Sequence, residues 1–193
     1  FLFFLISCSD DEKLSDAYGN FESVEVLVSA EATGKLLSFK INEGDYVEAN
    51  TIVAEIDSAE LLNKIAQLNA TKQTLSSKME NINAQIKLQQ QQLENLNSEK
   101  RRIENLLNNN AATQKQLDDI IYSIEIAKKQ LDVIHSQSNS ITAESNTIDK
   151  QIEQVKIALS HCHIKNPITG TIIAKYAEEG EFVTTTKPLY KVS

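Results

Sequence analysis

Few residues in this chain are typed and spaced for chemistry. His161-Cys162-His163 is the densest group, two imidazoles flanking a thiol. Soft nitrogen and sulfur donors of that kind suit zinc or copper, and on a strand both rings would share one face. Two ligands at i and i+2 without a nearby third make a poor metal site. The tripeptide therefore reads as the entry to a strand, with Cys162 a half-buried free thiol and no metal or cofactor expected. His135 lies beside an apolar helical seam without an evident partner. No Gly-rich loop could cradle a phosphate, and no Gly-flanked Ser could serve as nucleophile. The carboxylates fall on solvated helix faces. The chain does not read as an enzyme.

The other cysteine has a different setting. Phe1-Leu2-Phe3-Phe4-Leu5-Ile6 is an apolar run ending in Ser7-Cys8, and Ser9-Asp10-Asp11-Glu12-Lys13 follows. Six apolar residues are too few for a transmembrane helix, which needs about 20, but they fit the end of a signal-peptide core. Leu5-Ile6-Ser7-Cys8 resembles the lipobox of bacterial lipoproteins, which implies lipidation at Cys8 and a membrane anchor. Acyl chains contribute about 0.8 kcal/mol per buried methylene. Residues 1–20 are read as signal remnant, lipobox and polar tether. The chain begins without Met or a basic leader, so its N-terminus reads as clipped.

The elements that would position these residues are few and long. The 193 residues include five Gly and two Pro, none of them between Asp45 and Asn166. Gly and Pro punctuate loops, so their absence implies extended regular structure. A net charge of −8 without a basic cluster argues against nucleic-acid binding. No Trp and 6% aromatics argue against a large globular core.

Residues 34–56 recur at 170–192 with a constant offset of 136. Gly34 and Gly44 return as Gly170 and Gly180, and Gly44-Asp45-Tyr46-Val47 returns as Gly180-Glu181-Phe182-Val183. These four glycines are read as structural turn residues. The two copies, at 21–57 and 161–193, predict two halves of one small β domain. Between them, 58–160 predicts a helical hairpin. Stepping by four and three from Leu61 gives a seam in which eleven of fourteen positions are apolar; the return limb from Leu117 gives eleven of thirteen. The two seams pair antiparallel, with Ile65 facing Val155, Ile86 facing Ile134 and Leu96 facing Ile124. The implied rod is roughly 70 Å long. Asp57-Ser58-Ala59-Glu60 and Thr113-Gln114-Lys115-Gln116 both have capping-box spacing. The tip falls near 108–113, where Asn109 tolerates left-handed geometry and Ala111 and Ala112 leave little bulk. The fold class is thus α+β, a long antiparallel coiled-coil α-hairpin inserted into a split β domain.

The β halves resemble the biotinyl/lipoyl fold, but Glu60 stands where the carriers place their modified Lys. Without an amine there is nothing to acylate. A lipobox, a split lipoyl-like domain and an intervening hairpin together resemble the bacterial membrane fusion proteins, the periplasmic adaptors of the HlyD family. Asn166-Pro167-Ile168-Thr169-Gly170-Thr171-Ile172 is similar to that family's Ala/Ser-Pro-x-x-Gly-x-Val, with Asn in first place. The resemblance implies an adaptor, anchored in the cell envelope or periplasm as a lipoprotein. It would form a homo-oligomeric ring that links an inner-membrane transporter of ABC or RND type to a TolC-type outer-membrane channel. It also implies that Arg102, Leu106 and Thr113 dock the channel, because they fall on the family's Arg, Leu, Ser tip spacing with Thr replacing Ser. Adaptors of this kind continue into a β-barrel and a membrane-proximal domain, so the chain reads as a fragment. A membrane-tethered coiled-coil spacer without a transport role is the second reading.

Overall fold

The computed structural model describes residues 24–193. Cys8 and the tether that follows it lie outside these residues. Four strands come first: β1 (Val26–Ser29), β2 (Gly34–Phe39), β3 (Tyr46–Val47) and β4 (Ile52–Ile56). Two long helices follow, α1 (Ala59–Asn108) and α2 (Gln114–Ser160). Four more strands complete the chain: β5 (His163–Lys165), β6 (Gly170–Lys175), β7 (Phe182–Val183) and β8 (Pro188–Val192).

The internal repeat governs the β domain. Strands β2, β3 and β4 map onto β6, β7 and β8 by the offset of 136 without a slipped residue. The two sheets have orders β1-β8-β6-β3 and β5-β4-β2-β7, which the same offset exchanges. Each half lends its short strand to the other: Gly34 pairs with Val183, and Val47 pairs with Gly170. Turn hydrogen bonds repeat likewise, Gly44 N–H donating to the Ile172 carbonyl and Gly180 N–H to that of Leu36, both at 2.9 and 2.8 Å respectively. Neither half can close alone. The core lies between the sheets and is built from Leu36, Val53, Ile56, Ile172, Val183, Leu189, Tyr190 and Val192, none more than 2% exposed.

The glycines divide by role. Gly44 and Gly180 turn the chain at φ of 90°, a conformation glycine adopts without a steric penalty. Gly34 and Gly170 are not turn residues; they open strands β2 and β6. There the need is close approach. A Cβ on Gly34 would lie 2.8 Å from Ile56 Cγ2, and one on Gly170 would overlap the Ser193 carbonyl.

The helices run as the seam pattern predicts. Every seam position on α1 is buried or half-buried except Lys72, and every one on α2 is too. Lys72 lays its ammonium outside the seam, 2.6 Å from Asp149 on the opposite helix. Gln89, a polar seam residue, donates to the Ala127 carbonyl at 3.1 Å and to the Gln130 side chain at 3.1 Å. At 50 residues α1 is about 75 Å long at 1.5 Å rise per residue.

The first capping expectation is not met. Ser58 is the N-cap of α1 and makes no side-chain cap bond. Asp57 instead accepts from Ala59 N–H at 3.0 Å, an Asx turn that bypasses the reciprocal Glu60 contact. The second box is present in full, with Thr113 and Gln116 bonding reciprocally. The hairpin returns to its starting point. Ile56 N–H donates to the Cys162 carbonyl at 2.8 Å, so both roots of the rod sit on one edge of the β domain.

Candidate functional site

The distal end of the rod is its only sharp turn among the described residues. α1 ends with Asn109 as C-cap, Asn110 takes a left-handed φ of 57°, and Ala111 N–H returns to the Leu106 carbonyl at 2.8 Å. Asn109 itself bonds back to the Asn105 carbonyl through its amide, at 2.8 Å. Ala111 is exposed and Ala112 half-buried, which leaves a small, polar, low-relief end.

The three residues on the docking spacing are all exposed here, yet they are not equally free. Leu106 is 41% exposed, adjacent to but off the seam. Arg102 forms an ion pair with Glu99 one turn earlier, 2.5 Å apart. That carboxylate raises the guanidinium above its ordinary range, chiefly by hydrogen bonding. Thr113 has its hydroxyl committed: it donates to Gln116 Oε1 at 3.1 Å and accepts from Gln116 N–H at 3.3 Å. A partner bonding that hydroxyl must use its remaining lone pair.

At the opposite end, the His-Cys-His tripeptide is taken apart by the fold. His161 is the C-cap of α2, Cys162 lies in the turn, and only His163 is in β5. The two rings therefore do not share a strand face. His161 Nδ1 faces Glu31 at 2.5 Å, and His163 Nδ1 faces the Leu159 carbonyl at 3.3 Å. Cys162 is buried at 2% exposure, deeper than the sequence suggested. Burial pushes its thiol above the usual range, with Asp57 adding to the shift, so it is a poor nucleophile. Among the described residues no group of three or more His, Cys, Asp or Glu is placed to hold a metal. No helix among them is long and apolar enough to cross a membrane.

One buried polar pair escaped the sequence reading. Asn166 is fully buried, and Tyr190 donates its hydroxyl to Asn166 Oδ1 at 3.0 Å. The Asn166 amide donates to the Ile168 carbonyl at 2.6 Å and to that of Val47 at 3.1 Å. Burial drives the phenol pKa up, so Tyr190 stays a donor. At the offset of 136, these residues correspond to Ala30 and Ala54, also buried. The repeat itself held the signal: two small residues in one half are replaced together by a hydrogen-bonded pair in the other.

A split β sandwich whose halves exchange strands, interrupted by a two-helix rod, is a specific arrangement. The model of the "CzcB-like, barrel-sandwich hybrid domain" matches it over residues 24–193. The chain belongs to that family. Its barrel-sandwich hybrid and hairpin have the fold of ZneB from Cupriavidus metallidurans, at 20% identity and a TM-score of 0.52, over 88% of this chain and 60% of that one. They also match the soluble domain of LipC, a membrane fusion protein of a type I secretion system, at 14% identity and a TM-score of 0.54, over 88% and 99% of the two chains. MacA from Actinobacillus actinomycetemcomitans aligns at 24% identity and a TM-score of 0.45, over 86% and 48%. The chain spans less than half of some matched structures, 39% in one case. No curated protein sequence matches it. The resemblance to membrane fusion proteins and periplasmic adaptors therefore holds, as does the fold class.

Proposed function

We propose that this chain is the rod-bearing part of a periplasmic adaptor that links an inner-membrane transporter to a TolC-type outer-membrane channel. The single observation that carries the reading is mechanical. The rod is satisfied along its own seam, rooted at one edge of a closed β joint, and presents an exposed Leu106 beside a tight distal turn. A dimerising coiled coil would leave part of its seam open for a partner; this seam is filled from within. LipC, whose fold this chain shares, is a membrane fusion protein of a type I secretion system, which supports the assignment.

In this reading Leu106 supplies apolar contact to the channel, Arg102 an ionic one, and Thr113 a hydroxyl that also caps α2. Lipid at Cys8 holds the chain to a membrane, the β domains pack in a ring, and an ABC or RND transporter supplies the energy. The chain moves no protons or electrons itself and is not an enzyme. The test is Leu106→Asp in the full-length protein. Helicity and melting stay unchanged while export of the cognate substrate is abolished; export at the normal rate removes the tip assignment.

A further inference from the structure

The rod meets the β domain at its two roots and at little else. Residues 57–58 lead out into α1, and 161–162 lead back from α2. Neither helix lies along a sheet, and among the described residues Leu61 alone of the rod packs against the β core. A joint of two short chain segments can pivot, so a side-chain tie across it sets the inclination of the rod. One such tie is present. His161, the C-cap of α2, places Nδ1 2.5 Å from Glu31 Oε2 in the loop between β1 and β2. Among the described residues it is the only ion pair that joins rod to β domain; the others lie within one or the other. Glu31 stands on a fixed post. Ala30 N–H donates to the Lys187 carbonyl and Thr186 N–H to the Ala30 carbonyl, each at 2.9 Å, and Thr185 N–H reaches Thr33 Oγ1 at 3.3 Å.

We infer that His161 and Glu31 form a proton-operated brace, in which the charged imidazole holds the rod at one inclination and loss of its proton frees the joint. Imidazole is the side chain that ordinarily changes charge between about pH 5 and 8. Protonated, the ring is a cation set between a carboxylate and the carbonyl end of a helix, and both favour it there. The last turn of α2 holds no other basic residue. Asp57, whose charge reaches the neighbouring Cys162 thiol, adds a second anion at this end. Neutral, the ring can donate to Glu31 only as the tautomer with hydrogen on Nδ1, and no net charge holds it. Surrounding groups leave the pair to itself. Lys187, on the turn that seats Glu31, is taken by Glu181 at 2.6 Å. His163 faces the Leu159 carbonyl, and Lys35, Glu60 and Lys156 bond neither partner. The two side chains are 45% and 63% exposed, so the brace biases the joint by about two- to five-fold rather than locking it. Nothing in it involves the tip.

The experiment uses the whole chain with Cys8→Ser, spin-labelled at Lys40→Cys on the β domain and Gln137→Cys on α2. Both positions are exposed, and Cys162 is buried and takes no label. Gln137 lies about 35 Å along the rod from its root, far enough out to magnify a change of inclination. Pulsed electron spin resonance reads the label-to-label distances at about pH 5.5 and about pH 8, with the imidazole charged at the first and neutral at the second. The expected result is one narrow distribution at the lower pH that broadens at the higher, the braced population falling about two- to five-fold. Glu31→Gln and His161→Gln should be broad at both, and His161→Arg narrow at both. Glu31 is exposed, so its substitution leaves the fold intact, as circular dichroism and melting will show. A native distribution unchanged between the two pH values would overturn the brace. So would a Glu31→Gln protein that still narrows at the lower pH. Arg102, Leu106 and Thr113 are untouched, so docking and inclination are read separately.

Discussion

Asn166 and Tyr190 show how one substitution in a repeat obliges another. Tyr190 brings a hydroxyl into a dry core, and a buried donor left unpaired costs about 1–3 kcal/mol. Asn166 supplies the acceptor and spends its own amide on the backbone carbonyls of Val47, Glu48 and Ile168. Asn166→Ala should therefore destabilise the domain by roughly 2–3 kcal/mol, read as a lower urea midpoint at unchanged slope. Tyr190→Phe in that background should cost less than in the native chain, because the orphaned hydroxyl is gone; equal costs would mean the pair is uncoupled. A second residue is under strain. Thr186 takes a φ of 76°, and its counterpart by the offset, Asn50, takes 65°. Asn tolerates this region and a β-branched Thr does not. Thr186→Asn is expected to stabilise by about 1 kcal/mol, checked by the same denaturant titration.

The rod was the element most readable from sequence, because a filled seam writes itself as a period of 3.5 residues over many turns. The positions flagged from Leu61 to Leu159 are, Lys72 apart, those found buried or half-buried, including polar Gln89 and Ser138. Its capping was half readable. Thr113 and Gln116 form their box in the open turn, whereas Asp57 is tied to strand β2, its own backbone N–H donating to the Lys35 carbonyl at 2.8 Å. That tie hands the cap to Ser58, and no local pattern reports it. The β halves were legible through their repetition rather than their alternation: two-residue strands such as β3 and β7 are too short to show any. Gln89 tests what polar seam residues do. Replacing it with Leu should raise the melting temperature by about 2–4 °C, since a half-buried amide gives way to an apolar knob, while the register loses a fixing hydrogen bond.

For the molecule as a whole, the offset told which segments belong together but not which strand crosses to which sheet. The exchange of β3 and β7 between halves is a tertiary choice, set by the core that both must enclose. The candidate tip was legible as a spacing, and the structure adds that its three side chains start from different commitments. Leu106 is free, Arg102 is engaged by Glu99, and Thr113 is occupied as a cap. Substitution at Leu106 should accordingly change partner contact without changing melting, whereas Thr113→Ala should lower helix stability by about 1 kcal/mol, visible in thermal unfolding before any assay of transport.

The pairing of Val26 with Val192 has a consequence for synthesis. Strand β1 is joined to β8, and every strand of the first half borrows a neighbour made more than a hundred residues later. A nascent chain halted before Pro188 would hold a finished stalk above an open, sticky half-sandwich. Such a domain has reason to stay unfolded, or shielded, until β8 arrives.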